Sequence, residues 1–315
     1  MSTLISTPTR TRAKPKKLRW HRQEEYTALA FISPALLLLL IFLIIPFFMA
    51  IYFSFTSQRL VAGPLPTDFV GLRNYIRLLG DDTLRRSLLN NSFFGMIVVP
   101  VQTSLALFLA ILVNQKLRGV HLFRTIYFSP VVTPTVIVAV IWSFLYNPGQ
   151  GLANAFIKMV SFGHLGPYNW LSDEKLALPA IMLLAIWQGV GFQMVIYLVG
   201  LQAIPESLYE AARVDGAGFW SQFWYITLPQ LGNTTLFVVI STTILAFKLY
   251  TQVEVMTHGG PEDATVTVVW YMVNQSIRHL HVGYASAIGV VFFLILLVRL
   301  IPFLRSVIRA EGREA

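Results

Sequence analysis

The chain has 315 residues, of which 55% are hydrophobic and only 12% charged, with a formal net charge of +9 and a mean hydropathy of +0.63. These values place it among membrane proteins and exclude an ordinary water-exposed globular domain. Cysteine is absent, which removes disulfides, thiol catalysis and thiolate metal sites. The basic excess has no nucleic-acid module beside it and reads as tails held to anionic lipid, so no nucleic-acid partner is expected.

Residues 1–27 form a basic tail carrying Arg10, Arg12, Lys14, Lys16, Lys17, Arg19 and Arg22. Stretches without Asp, Glu, Lys or Arg then follow at 28–53, 91–115, 125–157, 176–205, 216–247 and 279–298. Each can supply the roughly 20 residues of a spanning helix. They predict six spans, near 28–53, 91–114, 122–146, 177–201, 230–255 and 281–304, within a membrane domain 28–305 that ends in a tail at 306–315. Apolar residues run continuously, as from Ala35 to Phe48, and do not alternate, which selects helices over a membrane β-barrel. The fold class is therefore all-α. The uncharged segment 264–277 is too short to span and rich in Val and Thr, and is expected to be extramembrane or half-buried. The first apolar run is too long for a signal-peptide core and lacks a small-residue cleavage site, so it reads as an uncleaved anchor.

Orientation follows from Lys and Arg. The basic N-terminal tail and Arg299, Arg305, Arg309 and Arg313 at the other end put both termini in the cytoplasm, which an even number of spans requires. The link around Lys116 and Arg118 and the segment 205–228 are then inside, and the connections 56–90, 147–175 and 255–278 outside. The outer connection 56–90 runs against the rule with Arg59, Arg73, Arg77, Arg85 and Arg86, and the tails outvote it.

Catalytic constellations are sparse. His258, His279 and His281 have no carboxylate-and-histidine spacing of a zinc site, so no metal is expected and they read as surface histidines near a membrane interface. No Gly-Lys-Ser/Thr phosphate loop occurs, so any ATP and its Mg would be bound by a partner, and no cofactor is expected in this chain. A membrane-embedded enzyme would need convergent acids or histidines at one level of the bundle. A stand-alone secondary transporter would show repeats or broken helices with buried ionisable groups; Pro100, Pro130 and Pro134 interrupt spans, without half-to-half symmetry.

The segment 205–228 is polar and rich in small residues between apolar spans. Pro205 suits the first turn of a helix, Glu206 its positive end, and Leu208, Ala211 and Ala212 share one side. Gly216 is placed to end that helix in a left-handed cap, and a second amphipathic piece leads from Phe219 to Leu228. Ala211, Ala212 and Ala217 would let another protein approach the backbone, and Glu210 offers a charge to an Arg across an interface. The plainer reading is a loop helix whose acids are solvated.

Two groups are candidates for a solute pathway. Lys248 lies deep in the fifth span, followed by Tyr250, Gln252 and Glu254; a buried ionisable group marks function unless Lys248 and Glu254 simply pair with each other or a neighbour. Trp187, Gln188, Gln193 and Tyr197 in the fourth span offer rings and amides of the kind that bind sugars. The bland alternative is interfacial anchors and helix-to-helix glue.

The pattern Glu210-Ala-Ala-x-x-Asp215-Gly-Ala, with Phe223, Ile226 and Leu228-Pro229-x-Leu231, resembles the EAA signature of permease subunits in binding-protein-dependent ATP-binding-cassette importers. The likeness extends through Ser33-Pro-Ala-Leu, Ser54-Phe-Thr56, Phe69-Val-Gly-Leu-Arg-Asn-Tyr75, Leu117-Arg-Gly119, Phe123-Arg-Thr125, Pro148-Gly149, Trp170-Leu-Ser-Asp173, Gly200-Leu-Gln-Ala-Ile-Pro205, Gly259-Gly-Pro261 and Gly283-Tyr-Ala-Ser-Ala287. It is similar to the first of the two carbohydrate-permease types. The resemblance implies a bacterial inner-membrane subunit that pairs with a second permease, two cytoplasmic ATPases that bind ATP and Mg, and an extracytoplasmic solute-binding protein. It also implies ATPase coupling at Glu210, Ala211, Ala212, Asp215, Gly216 and Ala217, and alternating access for a carbohydrate-like solute. Relatives commonly carry an acid at the position of Thr251 and an aromatic at Glu254, so the sequence departs from the pattern there.

Overall fold

The computed structural model describes residues 21–61, 67–115 and 119–311, with side chains described at 26–61, 67–115, 119 and 122–298. Much of the basis for orientation lies outside them: Arg10, Arg12, Lys14, Lys16, Lys17, Arg19, Lys116, Arg118 and Arg313, with the side chains of Arg22, Arg299, Arg305 and Arg309. Every regular element among the described residues is helical, as expected of an all-α chain. The chain falls into two compact units, Met1–Met49 and Ala50–Ala315.

The first unit holds α1 (His21–Leu39), a π-helical turn at Leu40–Ile44 and the start of α2 (Ile45–Ser54). Its apolar side chains from Phe31 to Phe48 are largely exposed, as suits a surface bathed in lipid. The π turn falls just before Pro46, whose missing N–H would leave a carbonyl one turn back unpaired; a slip to wider hydrogen bonding absorbs that loss. The same reasoning fits a second π turn, Phe223–Thr227, ahead of Pro229.

The second unit continues with α3 (Arg73–Leu79), α4 (Asp82–Asn114), α5 (Val120–Val132), α6 (Thr135–Leu145) and α7 (Leu152–Val160). It proceeds through α8 (Ala177–Gln202), α9 (Glu206–Val214), α10 (Phe219–Gln222), α11 (Leu228–Gln230), α12 (Gly232–Phe247), α13 (Thr251–Met256), α14 (Val268–Val273) and α15 (Val282–Glu311). Among the described residues four helices are long and apolar enough to cross a membrane: Tyr26–Ser54, Asp82–Asn114, Ala177–Gln202 and Gly232–Met256. The pair α5 and α6 makes a fifth if counted as one span, and the apolar part of α15, Val282–Val298, is shorter. Each of the six expected segments thus falls on helix, with two corrections.

The third expected span, 122–146, is not one rod: its halves are bent by 99° at Thr133–Pro134. Pro134 pushes the residue before it out of helical backbone, and Thr133 is extended at φ −80° and ψ 130°. The fifth, 230–255, ends at Phe247, breaks over Lys248–Tyr250 and resumes as α13.

The segment 264–277 is more buried than expected. Thr265, Val266, Thr267 and Val268 have no exposed surface, and Trp270 and Tyr271 are 8% exposed. Its polar backbone is received by α4: Val268 N–H donates to Asn91 Oδ1 (2.8 Å), while Asn90 Nδ2 donates to the carbonyls of Asp263 (3.0 Å) and Val266 (2.9 Å). A Val/Thr run with apolar or hydroxyl surface on every side is readily enclosed when neighbouring amides take up its hydrogen bonds.

Helix α4 is the spine, packing along α8 and α12. It threads two separate apolar clusters. Phe94 and Val98 join Ile181, Leu184, Phe247, Val268 and Ile288 in one; Ala106 and Ala110 join Met194, Tyr197, Leu231 and Val238 in the other. In lipid, burial from water does not drive such packing, so close approach over small residues carries it. Gly191 is the extreme case: a Cβ there would lie 2.0 Å from the Tyr127 carbonyl oxygen.

Candidate functional site

The seam between the two apolar clusters is polar. Gln102 and Thr103 on α4, Gln193 on α8 and Thr242 on α12 are buried there, 3–8% exposed. Gln193 Nε2 donates a short hydrogen bond to Thr242 Oγ1, whose own proton goes to the Val238 carbonyl (2.6 Å). Gln188 Nε2 reaches the Thr133 carbonyl and Thr135 Oγ1, both at 3.4 Å, and so ties α8 to the bend between α5 and α6.

A cavity of about 430 Å³ opens at this level, lined by Gln102, Thr135, Gln188, Gln193, Ser241, Thr242, Lys248, Tyr250, Thr251 and Gln252 over an apolar floor that includes Phe94 and Val98. Its volume is within the range of small-molecule sites, about 300–1,000 Å³. Both helix breaks border it. At the α12 break the freed carbonyls are taken up by side chains: Leu249 O accepts from Thr267 Oγ1 (2.6 Å), and Ala246 O and Phe247 O face Asn91 Nδ2 at 3.4 and 3.5 Å. Irregular backbone at membrane depth is tolerated where it is buried in protein or lines a cavity, and the α12 break does both.

Of the eight residues expected along a solute pathway, the structure brings five to this cavity: Gln188, Gln193, Lys248, Tyr250 and Gln252. Trp187, 43% exposed, lies against Trp142 instead, with the rings tilted and their centroids 5.5 Å apart. Tyr197 is fully buried in the second apolar cluster. Glu254 points elsewhere too: it accepts from Arg278 Nη2 (2.6 Å) and Trp270 Nε1 (2.7 Å), with His258 Nδ1 3.7 Å away. The carboxylate therefore pairs with a neighbour on the π turn Asn274–Arg278 and not with Lys248, which among the described residues has no ion pair. Sequence reasoning missed Gln102, Ser241, Thr242 and Asn91. The signal was present, since each is a polar side chain inside a charge-free apolar stretch, and such residues face the bundle interior.

A second polar knot lies at the other end of α4. Asp81 caps that helix, accepting from Leu84 N–H at 2.9 Å. Its Oδ2 accepts hydrogen bonds from Tyr271 (2.7 Å) and Tyr284. Arg77 stacks over the Tyr284 ring at 4.1 Å. Burial pushes the carboxyl upward, but the two phenols, the Leu84 amide and Arg77 together hold it below the usual carboxylate range. His281 Nδ1 is buried without a hydrogen-bond partner among the described residues, so this histidine is less superficial than expected.

The helix expected to start at Pro205 and end at Gly216 forms as α9, and its cap is the expected one. Gly216 has φ +78°, Gly216 N–H donates to Arg213 O (3.1 Å) and Ala217 N–H to Ala212 O (2.8 Å). That pair of bonds is the Schellman arrangement, which needs a residue free of Cβ strain at Gly216. One side of α9 is held down: Tyr209 shares a hydrogen bond with Thr227 (2.9 Å) over a pocket of about 310 Å³ that includes Asn114 at the end of α4. The other side is free. Glu210, Ala211, Asp215 and Gly216 are exposed and Ala212 and Ala217 half-buried, while Val214 is 87% exposed.

Residues 102–309 match the family described as "Binding-protein-dependent transport system inner membrane component". The chain is 35% identical over 284 residues to a probable ABC transporter permease protein of Pyrococcus horikoshii, covering 90% of this chain and 96% of that protein. It is 32% identical over 298 residues to the diacetylchitobiose uptake system permease protein NgcF of Streptomyces coelicolor, covering 91% and 83% respectively. In fold it matches a chain of the bacterial alginate ABC transporter solved in complex with alginate pentasaccharide-bound periplasmic protein, with a TM-score of 0.78 and 19% identity over 91% of this chain and 96% of that one. With its EAA segment on an exposed capped helix and a polar cavity inside a helical bundle, the chain belongs to the permease subunits of binding-protein-dependent ABC transport systems.

Proposed function

We propose that this chain is one half of the membrane pathway of an ATP-driven importer for a sugar or sugar derivative, such as a di- or oligosaccharide or a glycerol phosphate. The polar cavity is its solute passage. Amides and hydroxyls from Gln102, Gln188, Gln193 and Thr242 suit a many-hydroxyl solute, which needs donors and acceptors in place of water. The substrates named for relatives, diacetylchitobiose and alginate, are of that class.

The observation that carries the coupling role is the free side of α9. A rigidly capped helix that presents Glu210 beside exposed Ala211 is a poor solvated loop and a good docking edge: the small side chains admit a groove, and the carboxylate meets an Arg. A pair of cytoplasmic ATPases binding ATP and Mg would move this helix, and the bundle would alternate between inward and outward openings as a population shift. A second permease completes the passage, and a solute-binding protein delivers cargo to the outer connections 56–90, 147–175 and 255–278. Both termini and α9 then lie in the cytoplasm, in a bacterial inner membrane.

The test uses a C-terminally tagged chain extracted gently from its native membrane, as wild type and as Glu210→Ala. A nucleotide-binding subunit and a second permease should copurify with wild type, and the variant should lose uptake while remaining folded. Truncating one member of an interface charge pair costs about 2–5 kcal/mol. Full uptake by a normally assembled Glu210→Ala complex sinks the coupling role; a chain that purifies alone and takes up solute on an ion gradient sinks the importer reading.

A further inference from the structure

The five arginines of connection 56–90 are unusual for a loop expected outside, and the structure gives them a context. Helix α3 turns Leu72, Ile76 and Leu79 to the surface, 62%, 67% and 90% exposed. Their spacing makes a single apolar stripe. Beside it a crevice of about 520 Å³ runs between α3, α4 and α15, with Leu88 and Val291 deepest. Those two lie 88 − 82 = 6 and 291 − 282 = 9 residues into their helices. On the spans expected at 91–114 and 281–304, Leu88 stands at the outer edge of α4 and Val291 about 15 Å inside α15, so the crevice leads from the outer surface into one leaflet.

The mouth of this apolar crevice carries Asp82 and Arg85, both exposed and one helical turn apart. They make no ion pair with each other. Asp81 also borders the crevice, but its carboxylate is engaged by Tyr271, Tyr284 and the Leu84 amide. Among the described residues the mouth therefore offers one anion and one cation free of ion pairs above an apolar slot. We propose that this crevice binds a zwitterionic aminophospholipid of the phosphatidylethanolamine type. Its phosphate sits on Arg85, its ammonium on Asp82 and an acyl chain along Leu88 and Val291. An anionic headgroup would meet Asp82 with like charge, and a sterically methylated one would lose the ammonium hydrogen bonds. The lipid would hold α3, and with it the outer connection 56–90, against the ends of α4 and α15.

Because the chain has no cysteine, Leu79→Cys can carry a fluorophore at the crevice mouth, with the unsubstituted complex labelled in parallel as background. The labelled complex, with the partners it brings from its membrane, is reconstituted with brominated phosphatidylethanolamine or brominated phosphatidylglycerol. Half-maximal quenching should need about tenfold less of the ethanolamine lipid, the factor one charge-assisted hydrogen bond supplies. Asp82→Asn with Arg85→Gln should erase that preference, and Leu88→Trp should block the slot. Equal quenching by both lipids in the parent reveals ordinary lipid contact and overturns the proposal. Absence of quenching by either reveals a protein surface over the crevice, and overturns it as well.

Discussion

Replacing Asn91 by Leu should loosen the buried segment 264–273 without dismantling the bundle. Asn91 is fully buried on α4, and its Oδ1 accepts the N–H of Val268 at 2.8 Å. Val268 is the first residue of α14, so its N–H has no partner within that helix, and a side chain from α4 serves as the cap. The Leu variant keeps the branching and the number of side-chain heavy atoms, removes the acceptor and strands the donor. An unsatisfied buried donor costs about 1–3 kcal/mol, and the long contacts from Nδ2 to Ala246 O and Phe247 O, at 3.4 and 3.5 Å, add little. A central value of about 2 kcal/mol corresponds to roughly 30-fold more frequent opening. Hydrogen–deuterium exchange, read by mass spectrometry on peptides covering 264–273, should accelerate by about that factor, with peptides from 106–113 unchanged. Exchange at Val268 within about threefold of wild type would refute the capping argument.

Three further outcomes follow from the geometry. Gly191→Ala places a Cβ 2.0 Å from the Tyr127 carbonyl oxygen, a backbone atom that cannot yield, whereas in Gly200→Ala the nearest atoms are the side chains of Thr234 and Leu231. The first should lose about 1–3 kcal/mol in denaturation of the detergent-solubilised chain and the second clearly less, a ranking that equal losses would contradict. Asp81 has a folded pKa below its ordinary 3.8, so its contribution to stability is complete above that value and fades as pH falls through the lower folded value. Melting curves of wild type should therefore drop more steeply below pH 3.8 than those of Asp81→Asn, and parallel curves would count against the Asp81–Tyr271–Tyr284 knot. Lys248→Gln and Gln102→Ala should lower solute uptake while leaving copurification of partners intact; unaltered transport kinetics in both would remove the cavity from the pathway.

The helical class and the positions of the long apolar helices were legible in the sequence. They depend on runs of apolar residues and on missing charges, which are local properties that lipid imposes on any chain. Helix α9 was legible for the same kind of reason: Pro205, Glu206 and Gly216 specify a start and a stop within a dozen residues, and the Schellman bonds at Gly216 and Ala217 realise them. The EAA pattern likewise needs no neighbour to be read.

What the tertiary structure alone decided is where side chains from distant segments meet. Sequence placed Lys248 and Glu254 in one candidate group, yet the break between α12 and α13 leaves Lys248 at the cavity and turns Glu254 to Arg278 and Trp270. Trp187 and Tyr197 share a helix with Gln188 and Gln193 but end in a tilted aromatic pair and an apolar core. Segment 264–277 looked too short to span and was expected to be extramembrane or half-buried, because nothing local says that Asn90 and Asn91, more than 170 residues earlier, will take up its backbone groups. Periodicity and charge report what one helix prefers to face, whereas a polar cavity between two apolar layers exists only once α4, α8 and α12 have been packed in register.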